Sequence, residues 1–498
     1  MGDAGLVSQH PASLQHALEV DELIREKAFI GGLWVSGNKT FPVYDPTTNK
    51  AIANVADMEV EDFQTAIDKA EIEFKSFSKT TEYARAQLLR DWAALIRKHS
   101  NDLSKMLALE NGKTLPEAKA EVASSAAMVS WFAEEAIRSY GDVIPSSFPN
   151  SNIVVVKQPI GVCGIIAPWN FPLAMITRKV APAIAAGCTV VIKPPSETPL
   201  CALALTYLGV QAGLPANVMQ VVTTKNRKAV EEIYTNPKVK KISFTGSTGV
   251  GKIITQIAAG TMKKISMELG GNSPFIIFDD ADVDAAIEEL MGCKYRCSGQ
   301  TCICANRVFV QRGISEYFLE RLVSKVSGLI VGSPFDAQVT NGPLVNKAAV
   351  LKVRSLIEDA LHKGAKLVAG GQVRDDLGGN FIEPAILTNI TSEMAVAREE
   401  IFGPLMPVIV FEDEEDMVQM ANNTEFGLAG YFFSSNYQRV WRTALALEVG
   451  MVGVNTGKLS EAGSPFGGVK ESGYGKEGSK YGLSEYQVLK SITMGGIK

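Results

Sequence analysis

From Asp57 onward, apolar residues recur at helical spacing. Val60, Phe63, Ile67, Ala70 and Phe74 lie three or four positions apart, which predicts an amphipathic helix. Helical patterns continue to about Tyr140. A turn-rich segment follows, marked by Pro145, Pro149 and nearby Ser and Asn residues. The pattern then changes. Short apolar runs alternate with helical stretches: VVV at 154–156, then GVCGII, TVVIK, VMQVV and KKISF. That alternation predicts a parallel sheet flanked by helices. A second series starts near Gly270-Gly271 with PFIIF, the helical DADVDAAIEEL, then NRVFVQ, KLVAG, MPVIVF and MVGV. Two α/β domains are expected, divided near the double glycine.

Composition changes the picture only by exclusion. A length of 498 residues allows two or three domains with ample core. The net charge of −5 carries no general nucleic-acid footprint. The cysteines are odd in number, seven, and irregularly spaced, so a reducing compartment fits better than a disulfide framework. None of the four histidines lies near another candidate ligand, so no metal site and no histidine triad is expected. The opening MGDAGLVSQH carries Asp3 and no early Arg or Lys, unlike a signal peptide or presequence. Leu6 spoils a myristoylation motif at Gly2. Cytosol is expected, with the mitochondrial matrix as the alternative. The apolar stretch Ile160–Ile176 is broken by Pro168, Asn170 and Pro172, which argues against a membrane span.

Candidate chemistry begins at GQTCICANR, 299–307. Alone, Cys302 reads better as a buried, inert thiol. Gly299 before it permits close backbone approach. Glu268, in ISMELGGNSP, ends an apolar run; alone, such an acid is as readily solvated or paired. Asn170 sits between Pro168 and Pro172, whose rings fix the local backbone. A rigid amide suits an oxyanion donor, although a turn Asn fits as well. The run KKISFTGSTGVGK reads strand, glycine-rich turn, helix. Gly246, Gly251 and Lys252 fall at P-loop spacing, but Ile253 stands where a Mg²⁺-holding hydroxyl belongs. A dinucleotide reading would make Glu268 the ribose acid, about 20 residues on.

Taken together, PWNFP, FTGST, MELGGNSP, GQTC, EEIFGP and PFGGVKESG resemble the aldehyde dehydrogenase superfamily, in that family's order from 168 to 474. The resemblance implies an aldehyde dehydrogenase-like α/β fold: two Rossmann-type α/β domains plus a small β oligomerisation element. It divides the chain into a cofactor-binding domain (1–140 and 159–269), a catalytic domain (270–480) and an oligomerisation element (141–158 and 481–498). It implies that Cys302 is the nucleophile, Glu268 the base and Asn170 an oxyanion donor. It places NADP or NAD against Trp169, Lys193, Ser196, Gly246, Ser247, Glu400 and Phe402. Ser196 stands where strongly NAD-selective members often carry Glu, which would repel a 2′-phosphate. NADP is therefore expected to be accepted, with NAD as the alternative cofactor.

The runs AMITRK, QTCICANR and NTGKLSEAGSPFGGVKESGYGKEGSKYG resemble the succinate-semialdehyde dehydrogenase branch in particular. That resemblance implies a carboxylate site of Arg178, Arg296 and Ser460. Arg296 lies six residues before Cys302, and Arg178 eight after Asn170. Two guanidinium groups at a pocket mouth would hold a carboxylate by paired hydrogen bonds. EAGSPFG departs from the usual branched or acidic residues before PFG, which bears on the shape near Ser460. Cys304 is either a small packed residue or a redox partner for Cys302. The expected partners are a small aldehyde and further copies of the chain, as a dimer or dimer of dimers; neither nucleic acid nor membrane is expected. The expected reaction is oxidation of succinate semialdehyde to succinate, in 4-aminobutyrate degradation. The alternatives are a glutarate-semialdehyde or broad-range aldehyde dehydrogenase, and an inactive structural homologue.

Overall fold

The computed structural model describes residues 10–497. The expectations that rested on Gly2, Asp3 and Leu6 lie outside the described residues. Amphipathic helices lead the chain. Val60–Phe77 buries Phe63, Ala66, Ile67, Ala70 and Phe77. Glu59 and Asp62 cap it reciprocally, which satisfies N–H groups the first turn cannot pair internally. Two later helices matter for the site: α1 (Ser100–Asn111) and α2 (Leu115–Ala136). Thr114 and Glu117 form a capping box at the start of α2.

The first sheet is built from β1 (Val162–Ile166), β2 (Thr189–Lys193), β3 (Met219–Val221), β4 (Val239–Thr245) and β5 (Lys264–Glu268). These five are parallel and ordered β3-β2-β1-β4-β5. The order reverses at β1, so a crevice opens between the carboxyl ends of β1 and β4. Helix α3 (Ala174–Ala186) joins β1 to β2, α4 (Leu200–Gln211) joins β2 to β3, and α5 (Thr248–Ala258) joins β4 to β5. Helices cover both faces, so β1 is buried at every residue and reads as a continuous apolar run.

The second sheet begins after the double glycine with β6 (Pro274–Ile277), and α6 (Val283–Tyr295) carries the chain to β7 (Arg307–Gln311). β8 (Lys366–Ala369), β9 (Ala385–Thr388), β10 (Leu405–Phe411), β11 (Ala429–Phe433) and β12 (Met451–Val454) complete the order β8-β9-β10-β7-β6-β11-β12. All neighbours are parallel except β8 and β9.

Three features differ from the sequence pattern. Val154–Val156 is not part of the parallel series. It lies in Ser151–Pro159, the centre of a small antiparallel sheet with Asp142–Pro145 and Gln487–Gly495. An apolar β-prone run has the same composition in either setting; only its pairing partner distinguishes them. The N-terminal region also lends Ala28–Ile30, antiparallel to β3, and Leu33–Val35, antiparallel to Ala28–Ile30, to the edge of the first sheet. Gly473–Tyr474 pairs antiparallel with β5 at the opposite edge. Short strands leave too little periodicity to be read from sequence.

Candidate active site

The carboxyl ends of β1, β4 and β5 bring separate sequence runs together. Trp169 and Asn170 follow β1, Gly246 and Ser247 follow β4, and Glu268 ends β5. The Gly246 N–H donates to the Glu268 carbonyl at 3.1 Å, which ties two of these ends. Cys302 arrives from the other sheet. After α6 the chain turns through Cys297, Ser298 and Gly299, all with positive φ. A Cβ at Gly299 would lie 2.2 Å from the Gly403 carbonyl, so both space and backbone demand glycine there. A Cβ at Gly271 would lie 2.7 Å from the Cys302 carbonyl.

Cys302 is buried between two cavities that share it. One cavity, of about 300 Å³, runs along Trp169, Gly246, Ser247, Glu268, Glu400 and Phe402. The other, of about 530 Å³, is lined by Phe171, Arg178, Arg296, Thr301, Ser460 and Phe466, with α2 along one wall. The thiol is thus reachable from two directions. Burial, then the Glu268 charge, holds its pKa well above the ordinary thiol value, with Arg178 opposing. Burial, then Glu477, pushes Glu268 up; Lys179, Cys302 and Arg178 draw it back. Both Glu268 carboxyl oxygens are buried without an ordinary hydrogen-bond donor. A buried carboxylate left unpaired is costly unless its proton can be held or passed on. Asn170 donates its amide to the Gln300 carbonyl at 3.1 Å, which sets it against the loop that carries Cys302.

The carboxylate-site candidates converge. Arg178 donates to Ser460 Oγ at 3.1 Å and stacks 4.4 Å from the Phe466 ring. Its Nε and Nη1 are buried without hydrogen-bond partners. Arg296 faces the Phe171 ring at 5.7 Å on the same cavity. Arg178 also has an internal partner the sequence did not suggest, Glu477 at 3.6 Å. Lys179, next along α3, is wholly buried and bonds to Glu477 and to Thr245 Oγ1. A signal existed: every residue of α3 from Met175 to Ala186 is buried, and two cations stand in that apolar helix.

On the nucleotide side, Glu400 accepts the Gly271 N–H at 3.1 Å, and burial lifts its pKa to about 7. Phe402 adopts a φ of 54° and meets Trp169 edge-on at 5.5 Å. Lys352, which sequence reasoning passed over, lines the same cavity and donates to the Glu400 carbonyl at 2.6 Å. Ser247 occupies the N-cap position of α5 without a side-chain cap bond, and the first N–H groups and dipole of that helix suit an anion. Lys193 ends β2, its pKa lowered by burial and partly restored by Glu197. Ser196 donates to the Glu197 carboxylate at 3.2 Å, so the acid that the Ser lacks stands one residue away. The Cys304 thiol donates to the Lys294 carbonyl at 3.4 Å and is packed beside the buried Lys294.

A buried thiol with a carboxyl group beside it and a cavity on either side suits a cysteine-dependent oxidoreductase. The model of the aldehyde dehydrogenase family matches residues 34–492, and the chain belongs to that family. Among relatives, it is 50% identical to 3-sulfolactaldehyde dehydrogenase of Pseudomonas putida, over 96% of this chain and 99% of that one. It is 49% identical to succinate-semialdehyde dehydrogenase [NADP(+)] 1 of Schizosaccharomyces pombe, over 94% and 95%. The crystal structure of succinate-semialdehyde dehydrogenase from Burkholderia pseudomallei superposes with a TM-score of 0.95 at 48% identity, covering 96% of this chain and 100% of that one.

Proposed function

We propose that the protein oxidises succinate semialdehyde to succinate with NADP or NAD. The observation that carries this reading is the pair of cavities meeting at Cys302: one bearing Arg178 and Arg296, the other lined by Ser247, Glu268, Glu400 and Phe402. Arg296, Ser460 and the free Nη1 of Arg178 hold the substrate carboxylate. The aldehyde carbon then faces the thiol. Glu268 takes the Cys302 proton, and the sulfur adds to that carbon to give a thiohemiacetal. The new oxyanion is met by the second N–H of the Asn170 amide and the Cys302 backbone N–H. Bound in the cleft, a nicotinamide supplies the acceptor for the hydride that leaves this carbon. Glu268, after releasing that first proton to solvent, removes a proton from water, whose oxygen attacks the resulting thioester; the C–S bond breaks, the acid leaves, and Glu268 returns its proton to the Cys302 thiolate.

The cleft fits a dinucleotide in its own chemistry. Glu400 takes a ribose, Phe402 and Trp169 wall the nicotinamide end, and Ser247 with the start of α5 meets the pyrophosphate. Lys193 and Ser196 take the adenosine ribose, and a 2′-phosphate is tolerated for want of an acid at position 196. The first sheet with the N-terminal helices serves as the cofactor-binding domain, and the second sheet as the catalytic one. The seven free thiols fit a reducing compartment, cytosol or mitochondrial matrix.

Because guanidinium groups also recognise sulfonate, the 3-sulfolactaldehyde relative keeps a sulfonated aldehyde in view. Initial rates for succinate semialdehyde, glutarate semialdehyde, 3-sulfolactaldehyde and butanal with each cofactor test the reading. Succinate semialdehyde with NADP is expected to lead in kcat/KM, and Arg296→Ala is expected to raise its KM about 10-fold or more while sparing butanal. Equal losses for both aldehydes remove the carboxylate role.

A further inference from the structure

The loop that carries Asn170 makes few hydrogen bonds of its own, since Pro168 and Pro172 have no N–H to give. Its backbone is instead tied to side chains at the α1–α2 junction. Asn111, at the end of α1, donates to the Trp169 carbonyl at 2.9 Å. Lys113 donates to the Asn170 carbonyl at 2.8 Å, and its ammonium lies 3.7 Å from the Phe171 ring centre. Glu121, on α2, accepts the Leu173 and Ala174 N–H groups at 2.9 and 3.2 Å. Lys113 and Glu121 bond to each other, with side chains 0% and 1% exposed. One buried ion pair therefore grips both ends of the segment 170–174.

A buried pair of this kind contributes little net stability compared with a well-packed apolar pair. Its geometry has a different consequence. With the carbonyl of residue 170 and the N–H groups of 173 and 174 fixed, the one soft element left is the Asn170 side chain. That amide is held by the Gln300 carbonyl, two residues before Cys302. Lys113 and Glu121 touch neither the thiol nor its hydrogen-bond partners, yet they set where the amide stands.

We propose that Lys113 and Glu121 are positioning residues that hold the Asn170 amide at the site of the developing oxyanion; this rests on the reading of Asn170 as an oxyanion donor. Removing such a donor costs about 10²–10³-fold in rate, and misplacing it by about 1 Å costs up to about 10²-fold. Alkylation of Cys302 by iodoacetamide needs no oxyanion donor, so the two chemistries separate.

The experiment compares the pre-steady-state NADPH burst, the iodoacetamide rate constant and the NADP dissociation constant across Lys113→Met, Glu121→Gln, Asn170→Ala and the Lys113→Met/Asn170→Ala double variant. Lys113→Met and Glu121→Gln are expected to slow the burst about 10-fold to 100-fold, with alkylation and cofactor binding within about 2-fold of the parent. The double variant is expected to be no slower than Asn170→Ala, because Lys113 acts through that side chain. Additive losses, or alkylation falling in step with the burst, overturn the positioning role. A normal burst in Asn170→Ala overturns the oxyanion reading itself, and the proposal with it. If Lys113→Met does not fold, Lys113→Arg with Glu121→Gln decides the question on the same readouts.

Discussion

At Cys302 the surroundings oppose ionisation. Burial and the Glu268 charge both favour the thiol, so the proposed role of Cys302 requires transfer of its proton within the cycle. Glu268 can take it only when itself ionised, and burial holds its pKa above the ordinary carboxylate range. The sign follows: activity rises with pH through the raised pKa of Glu268. Glu268→Gln is expected to lower kcat by about 10²-fold or more and to erase that acid limb, read from the pH profile of kcat. An unchanged limb would assign it to another group. The three central residues were individually ambiguous in the sequence, and motif order made them legible. Lys179 and Glu477 were not, because 298 positions separate them and only packing makes them partners.

At the scale of elements, the site depends on strand ends and helix starts. Glu110, the penultimate residue of α1 before Asn111, shows how closely the helices are joined around it: its carboxylate accepts the Leu200 and Cys201 N–H groups, both at 2.9 Å, at the start of α4. The position suits a negative charge by the helix dipole, but burial dominates and lifts its pKa to about 7. The folded protein thus keeps a proton that the unfolded chain loses near 4.5. Between those pH values the native state binds more protons, so stability falls as pH rises, by on the order of 3 kcal/mol. Glu110→Gln is expected to flatten that fall, measured as the thermal midpoint from pH 4.5 to 7; a parallel fall in both proteins refutes it. The capping box of α2, Thr114 and Glu117, spans only four residues and is a local pattern. Glu110 was not, since its partner helix lies 90 positions away.

At the scale of the molecule, the small sheet remains to be explained. Gln487–Gly495 lies at its edge, with Leu489 71% exposed and Val488, Ile492 and Met494 also open. Val143 and Ile144 on the opposite strand are open as well. Such an apolar edge is a liability unless covered, and a second copy of the chain is the occupant this reading assigns. Leu489→Lys with Ile492→Lys is expected to lower the assembly mass in sedimentation equilibrium while leaving the subunit folded. A monomeric parent protein, or an unchanged assembly in the variant, removes the oligomerisation role.

Local pattern alone determined much of this protein. The long helices, the alternation of strand and helix, and the glycine-bearing turns are set by neighbours a few residues apart, and periodicity reports such neighbours directly. The ordered motifs around Asn170, Glu268 and Cys302 were likewise readable along the chain. Tertiary structure decided the rest. It placed Val154–Val156 in a separate sheet, set two cavities on either side of one sulfur, matched Arg178 and Lys179 to Glu477, and locked Lys113 to Glu121 beneath the Asn170 loop. The physical reason is common to all four. Strand partnership and the state of a buried charge depend on what packs against a residue, and those partners come from parts of the chain that share no local pattern.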